Sequence, residues 1–347
     1  MKKIIAVMLV LSLAFAVFAN GSSESAAGSG IAGTVGNPKI LKAGTSVSYS
    51  TDPKNAYVNF EKAFNEKLME LSGGTIGYEV VYGGALGNNT QLLAQLKAGT
   101  LDFMPTGFDL ATNLQNSEKF YAISMPYVFE NDDQMDAFFK TDLWAEMVED
   151  IRSANSIRII GLMCHQPGRG FNTKSAVVHP SDLKGVKMRV PESTVQMDLW
   201  KAIGASPVVI AGSELYTGIE SGIADGQEND IVSSVQLKLN EVAPYYTEVD
   251  YIKQACLLYM SDATYQKMTD QEKEWLEEAR EYAEKIATAC YTEKLEDARE
   301  AFATGKGGYV EYDANEWKEF FSEIVHNVFE GKYFPEGLYD QIQSTSY

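Results

Sequence analysis

Asp270 to Ala303 contains no Gly and no Pro and is dense in Ala, Glu, Lys and Leu. Thr269-x-x-Glu272 in front of it is a capping-box signature, which marks a helix start. At about 1.5 Å per residue, one helix over this run would be roughly 50 Å long. That exceeds the width of a small domain, so such a helix needs two bodies to lie against. A break near Cys290-Tyr291 is the alternative.

The rest of the chain supplies material for two bodies. From Pro38 the hydrophobic pattern alternates between strand and helix periods. Residues 40–47 read as a strand. Residues 54–71 carry an apolar helical stripe of Val58, Phe60, Ala63, Phe64, Leu68 and Leu71, ended by Gly73-Gly74. Residues 75–82 alternate as a strand. Asn88 or Asn89 caps a helix to about Ala98, and 101–104 read as another strand. A second pattern begins near Phe171, with strands at 186–190 and 208–210 and helices at 194–203 and 213–221. This order predicts an α/β fold with a mostly parallel sheet and a ligand site beyond the C-terminal strand ends.

Met1-Lys2-Lys3 precedes an apolar run from Ile4 to Ala19 broken only by Ser12. This reads as a signal peptide cleaved near Ala19. The run is short for a membrane span, which needs about 20 apolar residues; an uncleaved anchor is the alternative. No Cys lies near the cleavage site, so a lipoprotein is not expected, and the mature protein is expected outside the cytoplasm. Residues 20–37, rich in Gly, Ser and Ala, read as a flexible linker. Gly28-Ser29-Gly30-Ile31-Ala32-Gly33 within it matches the dinucleotide pattern by spacing alone. A working site needs a strand before and a helix after, and neither is expected there.

The 347 residues include 29 basic and 48 acidic ones, a net charge of −19. A chain this acidic without a basic stripe is repelled by nucleic acid and by anionic membrane surfaces. Three cysteines, an odd count, argue against a disulfide framework and for free buried thiols. The three histidines are scattered. There is no H-E-x-x-H, no C-x-x-C, no Walker loop and no G-x-S-x-G elbow. Cys164 and His165 are adjacent, and neighbours on a strand point to opposite faces. No metal, cofactor or catalytic group is expected.

The six arginines are more informative. Arg280 and Arg299 have Glu neighbours on the long helix, and Arg152 and Arg158 read as surface or strand-edge residues. Arg169 lies between glycines in Pro167-Gly168-Arg169-Gly170, and Arg189 ends the apolar segment 186–190 before Pro191. A buried guanidinium must be paired, and its planar fork matches a carboxylate. Each of these two therefore pairs with an internal Asp or Glu, the simpler reading on spacing alone, or awaits an anionic ligand.

Asp182-Leu183-Lys184-Gly185-Val186-Lys187-Met188-Arg189-Val190-Pro191 resembles the central motif of the TRAP transporter solute-binding proteins of the dicarboxylate-binding (DctP) type. Gly204-Ala205-Ser206-Pro207, Ser213-Glu214-Leu215-Tyr216 and Asp225-Gly226-Gln227-Glu228-Asn229 follow in the family's order. Gly84-Ala85-Leu86-Gly87, Gly99-Thr100-Leu101-Asp102-Phe103 and Met125-Pro126-Tyr127-Val128-Phe129 fit upstream. The resemblance covers about residues 38–340.

The resemblance implies a two-lobed periplasmic-binding-protein fold with a ligand cleft between the lobes and a long lobe-spanning helix. Lobe I would comprise 38–170 and 255–347, and lobe II 171–254. It implies an organic acid as ligand and the subunits of a TRAP membrane permease as partners; a monomer is expected. Arg189 corresponds to the arginine that clamps the ligand carboxylate, with Arg169 and Asn229 as further contacts. Asn88, Thr106 and Tyr251 are secondary candidates, Asn88 being equally an N-cap and Tyr251 equally a core residue. Three departures stand out. Gly212 replaces a common aromatic, Asp230 replaces a common Pro, and Gly107 stands where sialic acid binders carry Glu. Residues 189–193 with Met197-Asp198 lean towards the binders of hexuronates and related sugar acids. The alternatives are a receptor for a C4-dicarboxylate, a keto acid or a hydrophobic ligand without a carboxylate, and, more remotely, an exported sugar-acid enzyme.

Overall fold

A computed structural model describes residues 30–347. The expected signal peptide and residues 20–29 of the expected linker lie outside the described residues. Eleven strands form two sheets among the described residues. The first holds β1 (Lys39–Gly44), β2 (Ile76–Val81), β3 (Phe103–Gly107), β4 (Ile157–Gln166) and β10 (Gln254–Ser261), in the order β2-β1-β3-β10-β4. The second holds β5 (Arg169–Thr173), β6 (Met188–Val190), β7 (Val208–Val209), β8 (Gly226–Asp230), β9 (Tyr245–Thr247) and β11 (Gly308–Tyr309), in the order β11-β9-β5-β8-β6-β7.

The sheets are mixed rather than mostly parallel. β1 pairs parallel with β2 and β3, but β10 runs antiparallel to both β3 and β4. In the second sheet β5 is antiparallel to β8 and β9, while β6 is parallel to β7 and β8. The cause is the path of the chain. It leaves the first sheet at Gln166, enters the second at Arg169, and returns at Gln254, so each sheet receives a strand from the far side.

The long helix forms without interruption over Asp270–Ala303. Thr269 Oγ1 accepts from Glu272 N at 3.2 Å, and Glu272 Oε2 accepts from Thr269 N at 2.7 Å, which satisfies two donors that would otherwise lack partners. Ala279, Ala283 and Ala287, four residues apart, put small side chains on one buried face. The helix lies against helix Ala56–Leu71 and β4 in the first body. Further on, its Phe302 packs on Tyr246 of β9 with ring centroids 5.0 Å apart. One helix thus braces both sheets.

Two boundaries differ from expectation. The expected linker ends earlier, because Gly30 N donates to Lys267 O, and Ile31 and Ala32 N donate to the Glu272 carboxylate at 2.9 and 2.8 Å. Strand β1, not a helix, follows at Lys39, so no phosphate-holding helix end exists there. The other difference is β11, which pairs with β9 in the second sheet although 255–347 was expected to return to the first lobe. The long helix carries the chain across. Trp317, on helix Ala314–Ile324, then packs on Phe171 of β5 at 5.0 Å.

Candidate functional site

A cleft of about 250 Å³ opens where the carboxyl ends of β1, β3, β6 and β8 converge. The loop after β1 contributes Ser46, Val47, Ser48, Tyr49 and Ser50; β3 contributes Thr106 and Gly107. Gln166 and Gln254 come from the points where the chain crosses between sheets. Arg169, Arg189 and Asn229 face them from the second sheet.

The two central arginines are both buried, and their partners differ. Arg169 Nη2 donates to Glu228 Oε1 at 2.8 Å and to the Glu228 carbonyl at 3.1 Å, and its Nε meets the other carboxylate oxygen. Glu228 is fully buried and also accepts from Tyr251 Oη at 3.1 Å. Burial disfavours the Arg169 cation, but Glu228 outweighs it and holds the guanidinium well above its usual pKa.

Arg189 has no carboxylate partner among the described residues. Its Nε donates to Ile210 O at 2.8 Å, and neither Nη group finds a protein acceptor. Burial, with the Arg169 charge adding to it, pulls its pKa down to about 10 against the opposing pull of Glu228, Asp109 and Glu192. It remains a cation at neutral pH. The other four arginines are ion-paired: Arg152 and Arg158 share Asp262, Arg280 holds Glu277 and Glu284, and Arg299 holds Glu248. A buried, half-satisfied guanidinium in a cleft is costly unless something arrives to complete it.

Asn229 Oδ1 accepts from Asp230 N at 3.0 Å, leaving its amide N–H groups without a protein acceptor. Asp230 is buried and caps helix Ile231–Gln236 by accepting from Ser233 N at 2.7 Å. Asp109 is buried at the cleft floor, where Gln254 Nε2 donates to it at 3.2 Å. Burial raises its pKa, with Arg169 opposing. A Cβ at Gly107 would lie under 3 Å from Asp109 Oδ1 and Gln254 Nε2, so a larger residue there requires these two side-chain ends to move. A Cβ at Gly212 would lie 3.4 Å from Ser46 O, so the loop after β1 comes close to this position.

The cleft thus brings together Arg189, Arg169, Asn229 and Thr106. It does not include Asn88 or Tyr251. Asn88 caps helix Asn89–Ala98 in a reciprocal box with Gln91, and its neighbour Asn89 lines the cleft instead. Tyr251 is wholly buried behind Glu228 and stacks on Phe321 at 4.9 Å. Asp109, Gln254 and the Ser46-x-Ser48-x-Ser50 repeat also line the cleft, and the sequence motifs do not single them out. Only the last carried a signal, three hydroxyls at the carboxyl end of a strand.

No helix among the described residues is long and apolar enough to cross a membrane. The family model for bacterial extracellular solute-binding protein, family 7 (DctP), matches residues 47–332. A solute-binding protein of Roseobacter denitrificans is 28% identical over 269 residues, 77% of this chain and 81% of that one. The fold superposes on a TRAP periplasmic solute-binding protein from Roseobacter denitrificans with bound L-galactonate at a TM-score of 0.80. Identity there is 24%, with 89% of this chain and 99% of that one covered. A Citrobacter koseri counterpart with bound D-glucuronate gives a TM-score of 0.77 at 23% identity, covering 89% and 100%. The chain belongs to the DctP family of TRAP solute-binding proteins.

Proposed function

We propose that this protein is a periplasmic receptor for a polyhydroxylated monocarboxylate, a hexuronate or aldonate, which it delivers to a TRAP permease driven by an ion gradient. The observation that carries the reading is Arg189, the one arginine among the described residues left without an anion. A ligand carboxylate would take its two free Nη groups in a bidentate pair, with the Asn229 amide as a further donor. Arg169 is already neutralised by Glu228, so the cleft has one open cationic position and no second one for a dicarboxylate. The far wall offers hydroxyls and amides from Ser46, Ser48, Ser50, Asn89 and Gln254, suited to sugar hydroxyls. Relatives of the same fold hold L-galactonate, D-glucuronate and β-D-galacturonate. Signal-peptide cleavage near Ala19 and docking on the permease belong to the same reading.

The test is thermal unfolding of residues 20–347 with hexuronates, aldonates, C4-dicarboxylates, keto acids and neutral sugars. Ligand at 100 times its Kd adds about 2.7 kcal/mol, a shift of a few degrees for a protein of this size. A shift with hexuronates or aldonates alone is the expected result. A shift with succinate and none with sugar acids would overturn the reading.

A further inference from the structure

Cys164 and Cys256 lie 92 positions apart in sequence yet directly opposite each other on antiparallel β4 and β10. Opposed residues in such a pair have Cα atoms about 4.5–5.5 Å apart and side chains on the same face. That separation lies within the roughly 4.4–6.8 Å that a disulfide spans. A register shift follows at once, between Cys256 and Leu257, where Met163 is left out of the ladder. The cysteines therefore occupy the last regular pair before a bulge, where the strand can adjust its twist. Both are free thiols in this structure, as expected from the odd count, and are buried, at 0% and 1% exposure, in one apolar cluster. Cys290 stands apart on the long helix.

We propose that Cys164 and Cys256 form an intramolecular disulfide when the chain folds in an oxidising compartment, with Cys290 as the remaining thiol. The odd cysteine count is then one pair and one spectator. The oxidant is a small-molecule or protein disulfide. One cysteine sulfur attacks it and breaks its S–S bond, and the second cysteine sulfur displaces it from the mixed intermediate. The new S–S bond forms, and the oxidant leaves as two thiols carrying the two electrons and two protons. In the folded chain Cys164 is wholly buried and Cys256 shows only 1% of its surface, at the cleft wall; burial first, then the neighbouring Cys256, raises the Cys164 pKa. Exchange therefore precedes the closing of β4 on β10, and burial then shields the bond from reductants.

The cross-link also reaches the binding cleft. Cys256 lines it, with Sγ 3.1 Å from Tyr57 Oη and 3.5 Å from Gln166 Oε1. Bonding to Cys164 removes the Cys256 S–H donor and ties that wall of the cleft to β4.

The chain is refolded from urea in a glutathione redox buffer or in dithiothreitol, alkylated under denaturing conditions, digested and analysed by mass spectrometry. The expected product in glutathione is a peptide pair joined through Cys164 and Cys256, with Cys290 alkylated. The Cys290→Ala chain gives the same link. Closing so long a loop raises Tm by on the order of 5 °C over the reduced form. Alkylation of all three cysteines after oxidative refolding, a link through Cys290, or a linked form with a lower Tm than the reduced one would each overturn the proposal.

Discussion

The two walls of the cleft differ in their chemistry. The second-sheet wall carries the charge, with Arg169 locked to Glu228 and Arg189 open. The first-sheet wall is largely neutral, with serine hydroxyls and amides, and its one acid, Asp109, is buried at the floor. Within the charged wall, two arginines twenty positions apart have opposite roles. Arg169 is part of the scaffold, and Arg189 is the open site. The difference is one carboxylate, Glu228, which lies opposite Phe171 across the β5–β8 pair and reaches Arg169 two residues back. Having an arginine in the cleft is not enough to identify a clamp; its partners must be counted.

The sharpest way to break the comparison is to remove the fixed partner. Glu228→Ala should cost about 3–5 kcal/mol of stability, because it strands a buried guanidinium. Urea unfolding measures it. Arg189→Ala in the ligand-free protein should show no comparable loss, since it removes a charge that has no internal anion. Equal losses in the two variants would erase the distinction between scaffold and site.

A smaller effect tests the neutral wall. Ser48→Ala should lower sugar-acid affinity by about 1 kcal/mol, near fivefold, if its hydroxyl pairs with the ligand. The same substitution should leave binding of a short acid without hydroxyls unchanged. Titration calorimetry on both ligands separates the two cases.

The smallest effect concerns the crossing between sheets. His165 Nε2 lies 2.9 Å from Asp136 Oδ1, with Asp132 and Glu284 also near. Burial lowers its pKa, but the hydrogen bond to Asp136 and the charges of Asp132, Asp136 and Glu284 outweigh that, and the net shift is upward. Such a group contributes stability that is full below its unfolded pKa of about 6.5 and lost as pH rises through the folded value. Wild type should therefore lose more Tm between pH 6 and pH 8.5 than His165→Gln, by a degree or two. Parallel profiles would remove His165 from the account.

Much of this architecture was legible in the residues. The long helix followed from an uninterrupted helix-forming run behind Thr269-x-x-Glu272, where local propensity and capping agree. Helix Thr194–Ile203 also lies where the residues placed it, ending at left-handed Gly204. The direction of β10 was hidden, because strand pairing depends on where distant segments are delivered, not on local pattern. Arg189 stood out as a cation ending an apolar strand. What separated it from Arg169 was a partner 59 positions away. Pairing across that distance leaves no periodic trace, and the opposed cysteines of β4 and β10 are hidden for the same reason. For Tyr251, which the resemblance offered as a contact and equally as core, the ring is buried and stacks on Phe321.

The proposed function rests on Arg189 as the one open cationic contact of the cleft. Calorimetric titration of wild type and Arg189→Ala with D-glucuronate and with neutral D-glucose tests it most directly. Wild type should prefer the acid by at least a hundredfold, about 2.7 kcal/mol or more, and Arg189→Ala should bind the two alike. An Arg189→Ala protein that keeps its preference for the acid would contradict the account and move the clamp to Arg169.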